Sequence, residues 1–140
     1  MTSNPFDLER FVKAQAPVFE TVLRELRDGR KANHWMWFAF PQIEGLGFSA
    51  MAQRYAIASL DEARAYLEHP VLGSRLRQCV EMLLTISGRS AHEVFGSPDD
   101  MKLHSSLTLF AAAAPEEALF RTALDRFFDG HADQATRKRL

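Results

Sequence analysis

The chain has little of several features that define whole classes of protein. It contains one cysteine, Cys79, which rules out an internal disulfide. No apolar run approaches the roughly 20 residues that span a bilayer. The N-terminus shows no basic segment followed by an apolar one, so no signal peptide is predicted. We therefore expect a protein of the reducing cytoplasm that does not associate with membranes.

An excess of charge is also missing. The formal net charge of -1 at pH 7 gives no electrostatic basis for binding nucleic acid. Glycine-rich phosphate loops, His-Glu-x-x-His and paired-cysteine metal motifs do not occur in the sequence. The five histidines are scattered, so a metal site would have to be assembled by the fold. We predict no metal and no cofactor.

What is present is a strong helical pattern. Alternating strand patterns are nearly absent, whereas apolar residues repeat at helical spacing between capping residues, prolines and glycines. The length of 140 residues and a hydrophobic fraction of 46% suit one domain with its own core. The prediction is an all-α fold, a compact single-domain bundle of about seven helices over residues 1–140.

Individual residues mark several helix ends. Asn4 and Pro5 are predicted to start the first helix. Capping boxes are predicted where Ser59 and Ser90 each precede a glutamate by three positions. The sequence Ser97-Pro98 predicts a further helix start, with Ser97 as the cap. Residues 131–140 are polar and are expected to fray or to form a short helix.

The first candidate site is an aromatic segment that contains both tryptophans, Trp35 and Trp37. With Phe38 between His34 and Gln42, it is typical of a rigid wall for a flat or sugar-like ligand. If the segment is helical, His34 shares a face with Trp37 and Phe38 and is placed to transfer a proton. The alternative is that these aromatic residues belong to the core and His34 binds a backbone carbonyl at its edge.

Basic residues near this segment offer an anion site. Arg30 and Lys31 lie just upstream and are placed to receive a phosphate or carboxylate, although such a pair is also typical of a solvated turn. Arg54 is expected to pair with Glu44 or Asp61, or with an anionic ligand.

The second candidate site is the polar segment 96–106. Asp99 and Lys102 lie one helical turn apart, and Lys102 shares a face with Ser106. The pattern places Lys102, Ser105 and Ser106 toward a cavity. The alternative is that the acids cap the helix and compensate its dipole, while the serines allow close helix packing.

Several stretches of the chain resemble one bacterial family, domain of unknown function 1810, whose members are sometimes labelled calpastatin. The stretches are Pro5–Phe11, His34–Phe38, Phe40–Gln42, Met51–Ile57, Ser59–Ala63 and Phe95–Leu103. The resemblance covers nearly the whole chain and implies a single, mainly helical domain without an established activity. Calpastatin-type inhibitors are disordered, whereas this composition is globular, so protease inhibition is not expected.

A fainter similarity is to the NADAR-type N-glycosidases, helical enzymes that act on ADP-ribosyl or related nucleotide-sugar compounds. It lies in residues 59–67, residues 102–110 and the closing helices. The resemblance implies acids, a lysine and stacking aromatic residues around a ribose. Asp99, Lys102 and the two tryptophans are the nearest counterparts in kind.

Two functional hypotheses follow. The first is an N-glycosidase-like hydrolase that binds a nucleotide-like or sugar-phosphate molecule. In it the tryptophans stack on a base, and Asp99 or Asp100 stabilises an oxocarbenium-like state or activates water. Lys102 then holds a phosphate, and His34 moves a proton. The further substrate-binding residues predicted are Arg30, Lys31, Trp35, Trp37, Phe38, Gln42, Arg54, Ser105 and Ser106.

The second hypothesis is a non-catalytic helical module that binds a partner protein or forms a homodimer, with His34 and Lys102 apart and no deep pocket.

Overall fold

The computed structural model describes residues 6–140, and the predicted helix start at Asn4 and Pro5 lies outside them. An all-α fold is confirmed for the described residues. Their β-type pairing is limited to one parallel bridge between Ile43 and Ile57. The described helices are α1 (Glu9–Gln15), α2 (Phe19–Arg27), α3 (Met36–Ala39), α4 (Ala50–Arg54), α5 (Leu60–Glu68), α6 (Leu72–Leu84), α7 (Ala91–Phe95), α8 (Asp99–Ala113), α9 (Ala118–Phe128) and α10 (Gln134–Arg137).

The described part of the chain therefore has ten helices, and the expectation of about seven was too low. Four of the ten helices, α3, α4, α7 and α10, have only four or five residues each. Helices this short are not stable alone and show no apolar periodicity. Side-chain caps and contacts with the rest of the molecule hold them.

Serine caps start several helices as predicted. The side chain of Ser90 accepts a hydrogen bond from the backbone of Glu93, whose carboxylate accepts in return from the backbone of Ser90, which completes the box. At α5, Ser59 accepts from the Glu62 backbone, but the Glu62 carboxylate takes the backbone N–H of Ala58 instead. That predicted box is therefore half formed.

The predicted cap at Ser97 was wrong. Helix α8 begins at Asp99, Pro98 occupies the cap position, and no side chain caps this end. Asp99 and Asp100 still lie in the first turn, where negative charge is favourable.

Helix α8 lies at the centre of the molecule and packs against α5, α7, α9 and α10. Most of its length from Leu103 onward is buried. The largest aromatic side chains around it have no more than 1% of their surface exposed, and they are Phe11, Trp35, Phe40, Tyr66, Phe110 and Phe120. The first turn of α8, which carries Asp99 and Asp100, lies at the edge of this core.

The C-terminal residues form the short helix that was one of the two expectations for residues 131–140. Asp133 caps α10 by accepting from the backbone of Thr136 at 3.1 Å. The same carboxylate accepts from Ser105 Oγ at 3.0 Å, and Thr108 Oγ1 accepts from the Asp133 backbone at 2.9 Å. These bonds dock α10 on α8. No helix among residues 6–140 combines the length and apolar character needed to cross a bilayer.

Candidate functional site

A buried carboxylate on α2 places the aromatic segment. Glu25 is 6% exposed, and its Oε1 accepts from the backbone N–H groups of Ala32 and Asn33 at 2.7 and 3.0 Å. Oε1 also accepts from Trp35 Nε1 at 3.0 Å, and Oε2 accepts from Asn33 Nδ2 at 2.6 Å. Burial alone would raise the pKa of Glu25, but these hydrogen bonds outweigh it and lower the pKa from 4.5 to about 2.

This arrangement corrects the predicted geometry around His34. Because Glu25 holds the preceding residues in an extended loop, helix α3 begins only at Met36 and His34 lies outside it, exposed to solvent. The expected shared helical face of His34 with Trp37 and Phe38 is therefore absent.

The two tryptophans have different environments. Trp35 is 1% exposed and lies edge-on to Phe95, with ring centroids 6.4 Å apart. Phe38 is also in the core, with its ring 5.4 Å from that of Tyr55. Trp37 is half-buried and borders a surface cleft. Of these three aromatic residues, Trp37 is the one accessible to a ligand.

The two candidate segments meet at Asp99. Its Oδ2 pairs with Lys31 Nζ at 2.8 Å, and its Oδ1 with Lys102 Nζ at 3.4 Å. We call Lys31, Asp99 and Lys102 the Asp99 node. The Lys31 ammonium lies 5.0 Å from the ring centre of Trp35, and that of Lys102 lies 5.1 Å from the ring centre of Trp37. The predicted proximity of Asp99 and Lys102 is confirmed.

The members of the node are not equally accessible. The Lys31 side chain is 7% exposed and also donates to the backbone oxygen of Asn33 at 2.6 Å. The side chains of Asp99 and Lys102 are 19% and 23% exposed. Lys31 therefore serves to attach the loop to α8, whereas Lys102 is the lysine of the pair that reaches the surface.

The surface beside Trp37 forms a cleft of about 430 Å³, which we call the Trp37 cleft. Its floor is held by the bridge between two chain segments, in which Glu44 N donates to Ile57 O and Ile57 N donates to Gln42 O, each at 2.8 Å. The lining residues are Trp37, Gln42, Ile43, Glu44, Gly45, Gly47, Phe48, Ala52, Gln53, Tyr55 and Ala56.

Arg10 supports the wall of the cleft that runs from α4 to α5. Although Arg10 lies near the start of α1, its side chain is only 17% exposed. Its Nε donates to the backbone oxygen of Arg54 at 2.9 Å and its Nη2 to that of Ala56 at 2.8 Å. It also pairs with the buried Glu62 at 3.1 Å. Arg10 thereby connects α1 to the cleft.

Other predicted residues lie away from the cleft. Arg30 is exposed, and Asp100 hydrogen-bonds with the ring of His92 at 3.2 Å. Ser105 is buried and shares its proton between Asp133 and the backbone oxygen of Met101. Ser106 is 1% exposed, and its Oγ has no hydrogen-bond partner in the described chain.

Two more predicted residues lie at the cleft. Gln42 is half-buried and lines it. Arg54 is exposed, and its guanidinium lies 5.5 Å from the ring centre of Tyr55, a lining residue. Within residues 6–140, Arg54 forms no ion pair with Glu44 or Asp61; Asp61 pairs with Arg64.

Metal and thiol chemistry find no support in the described residues. They contain no group of three or more histidine, cysteine or acidic side chains arranged to hold a metal ion. Cys79 is 2% exposed, and burial raises the pKa of its thiol to about 12. A thiol of that kind is protonated at neutral pH and is a poor nucleophile.

Sequence reasoning missed Glu25, Arg10 and Arg139, which lies against Gly45 in the cleft. Glu25 did leave a signal, because it stands three positions after Val22 and next to Leu26 on the buried side of α2. An acidic residue on an apolar face requires buried partners. The partners of Arg10 and Arg139 are distant in sequence and left no local pattern.

Comparison with known proteins places the chain in a family. A search of curated proteins found no significant match. The crystal structure of the conserved hypothetical protein Rv1873 from Mycobacterium tuberculosis is 52% identical, with 98% of each chain covered and a TM-score of 0.96. The family model described as a protein of unknown function, DUF1810, matches residues 5–140. Since that match spans nearly the whole chain, the protein belongs to the DUF1810 family.

Proposed function

We propose that this protein binds a small molecule with a planar ring in the Trp37 cleft. The observation that carries the proposal is the cleft itself, because its volume of about 430 Å³ lies in the range of roughly 300–1,000 Å³ common for small-molecule sites. It is bordered by an accessible indole and by polar side chains. The proposed setting is the reducing cytoplasm, as expected from the single cysteine.

Two aromatic residues supply the ring contact. Trp37 borders the cleft from α3, and Phe48 borders it from the following loop. Phe48 is 84% exposed, so its ring loses apolar contact with water when a ligand covers it. Gln53 Nε2 donates to the backbone oxygen of Phe48 at 2.9 Å and holds this loop against α4. A flat ring placed against both side chains gains stacking contact and buries Phe48.

The polar lining fits a nucleotide-like or sugar-phosphate molecule, the class expected from sequence. Gln42 offers an amide that donates and accepts, and Glu44 offers a carboxylate for ribose hydroxyl groups. Lys102 lies against the Trp37 ring, and a phosphate bound there would share its ammonium with Asp99, which lies 3.4 Å from Nζ.

Binding is better supported than hydrolysis. An N-glycosidase needs a carboxylate beside the ribose to act on water or on the developing positive charge. Both oxygens of Asp99 pair with lysines, and Asp100 hydrogen-bonds with His92. Glu44 is the carboxylate in the lining that is placed for such a role. Release of free base from ADP-ribosyl or nucleotide substrates is therefore assayed separately from binding.

The test is a thermal-shift and tryptophan-fluorescence screen against nucleosides, nucleotides, ADP-ribose, NAD and sugar phosphates. A ligand at a hundredfold its Kd stabilises the folded protein by about 2.7 kcal/mol. We expect Trp37→Leu to weaken binding by roughly 5- to 150-fold, since stacking on an aromatic side chain is worth about 1–3 kcal/mol. Phe48→Ala is expected to weaken it as well.

The matched control is Met101→Ala, which removes another exposed apolar side chain that does not line the cleft. This variant is expected to bind as the unmodified protein does. If no compound in the panel shifts the melting temperature or the fluorescence, the ligand-binding proposal fails, and the module that binds a partner protein becomes the better hypothesis.

A further inference from the structure

We infer that the ligand of the Trp37 cleft carries an anionic group and that the guanidinium of Arg139 binds it. This inference rests on the proposed function and names the chemical class of its ligand. Arg139 follows α10 and is far from the cleft in sequence.

Two elements bring Arg139 next to Gly45, one of the residues that line the cleft. Helix α10 is docked on α8 by Asp133, and the backbone N–H of Arg139 donates to Thr136 O at 3.0 Å. The guanidinium then lies against Gly45, which lines the cleft. A Cβ built on Gly45 would lie 2.5 Å from Arg139 Cζ and 3.1 Å from its Nη2. Gly45 also has φ +97°, a backbone conformation that favours glycine.

The hydrogen-bonding capacity of this guanidinium is unused. Within residues 6–140, Arg139 forms no ion pair and no side-chain hydrogen bond. In contrast, Arg10 and Arg77 are each paired with a glutamate. A guanidinium carries five N–H donors in a planar fork that fits the oxygens of a phosphate or carboxylate. Such a donor set beside a cleft is suited to an anion.

The charged side chains around the cleft also favour a negatively charged ligand. Three cationic side chains contact lining residues: Arg139 lies against Gly45, Arg54 over Tyr55, and Lys102 over Trp37. The lining itself contributes one carboxylate, that of Glu44. The Asp99 node also carries one positive charge in excess, since two lysines share one aspartate.

Backbone groups add donors at the same place. Within the described residues, the N–H groups of Gly45 and Gly47 donate to no protein acceptor. The space where their side chains would lie is occupied by Arg139 at Gly45 and by Ala52 at Gly47, so the backbone N–H groups are what these two residues offer a ligand. A phosphate next to Gly45 would therefore meet both the Arg139 guanidinium and free amides.

The experiment compares matched probes by fluorescence titration at constant ionic strength. Adenosine and AMP differ only by the phosphate, and pyrophosphate supplies the anion without a ring. We expect AMP to bind at least tenfold more tightly than adenosine. Arg139→Gln is expected to remove that difference by weakening AMP alone, and Arg139→Lys to restore part of it. Pyrophosphate is expected to stabilise the unmodified protein more than Arg139→Gln.

Arg137→Gln is the matched control, because it makes the same change of charge two positions away, on α10, at a residue that is not among the nearest neighbours of Gly45. It should bind AMP like the unmodified protein. Equal AMP affinity in Arg139→Gln and Arg137→Gln would overturn the inference while leaving ring binding intact. If adenosine and AMP both fail to bind but pyrophosphate still distinguishes Arg139→Gln, the anion site stands and the planar-ring proposal fails. If no probe binds, both are overturned.

Discussion

Buried polar side chains determine where the aromatic residues of this protein lie. Glu25 holds the indole of Trp35 in the core. Gln15 Nε2 donates to the backbone oxygen of Phe38 at 2.7 Å and to the hydroxyl of Tyr66 at 2.8 Å. Two side chains from α1 and α2 thus hold the aromatic segment from both ends, and Trp37 is left at the surface.

Replacing Glu25 with glutamine is expected to destabilise the fold by about 2–3 kcal/mol, because a buried donor left without an acceptor costs roughly 1–3 kcal/mol. The neutral amide cannot accept four hydrogen bonds as the carboxylate does. The measurement is urea unfolding at pH 7, with Glu20→Gln, an exposed change on the same helix, as control. Equal midpoints for the two variants would show that Glu25 does not hold the loop.

The same residue predicts a pH dependence. Because folding lowers the pKa of Glu25 from 4.5 to about 2, its contribution is fully present above about pH 4.5 and is lost as the pH falls toward 2. The stability difference between the unmodified protein and Glu25→Gln should therefore shrink across this window. A difference that stays constant from pH 6 to pH 2.5 contradicts the assigned hydrogen bonds.

Adjacent serines on α8 should respond in opposite ways to replacement. Ser106→Ala removes a buried hydroxyl without a partner and is expected to raise stability by about 1 kcal/mol, or the Tm by about 3 °C. Ser105→Ala removes the hydrogen bond to Asp133 and is expected to lower stability by about 1.5 kcal/mol. Calorimetry checks both values. A loss of stability in Ser106→Ala would reveal a partner for this hydroxyl.

At the scale of elements, local signals predicted helix starts better than they predicted which face is buried. Ser49 caps α4 and Ser90 caps α7, as their sequences indicate. The choice between Trp35 and Trp37 for the core had no local signal, because both lie in the same aromatic run. It depends on a hydrogen bond across ten positions to Glu25. The cleft could not be predicted from local sequence either, because its floor is formed by hydrogen bonds between residues 42–44 and Ile57.

Helix α10 should detach when its cap is removed. Asp133→Ala deletes the acceptor of Ser105 and of the Thr136 backbone, and a lost cap costs about 1 kcal/mol. We expect faster hydrogen exchange at residues 134–140, with protection in α5 and α6 unchanged. Glu116→Ala provides the control, since Glu116 is an exposed acidic residue between α8 and α9 and forms no cap for α10. Unchanged exchange after Asp133→Ala would show that other contacts hold the tail.

For the whole molecule, the all-α class followed from composition and spacing, whereas the arrangement around α8 did not. That arrangement depends on contacts such as Arg10 with Glu62 and Asp133 with Ser105, which join positions 52 and 28 residues apart. Spacing along one helix carries no information about such partners. The prediction of a single domain over residues 1–140 can be tested with the thiol of Cys79.

Cys79 should report the unfolding of the whole domain. It lies on α6 with 2% of its surface exposed, so a thiol reagent reaches it only when the core opens. We expect the free energy from labelling rates to equal that from urea unfolding, as one cooperative unit requires. Labelling that is much faster than global unfolding would indicate that α6 opens by itself.

The contact between Arg139 and Gly45 also determines how this protein is best handled in the laboratory. An acidic segment joined directly to Leu140 would begin one residue from this guanidinium, which has no ion pair within residues 6–140, and its carboxylates would pair with it. Binding screens are therefore best run on protein without such a segment, because it is expected to mask weak anionic compounds.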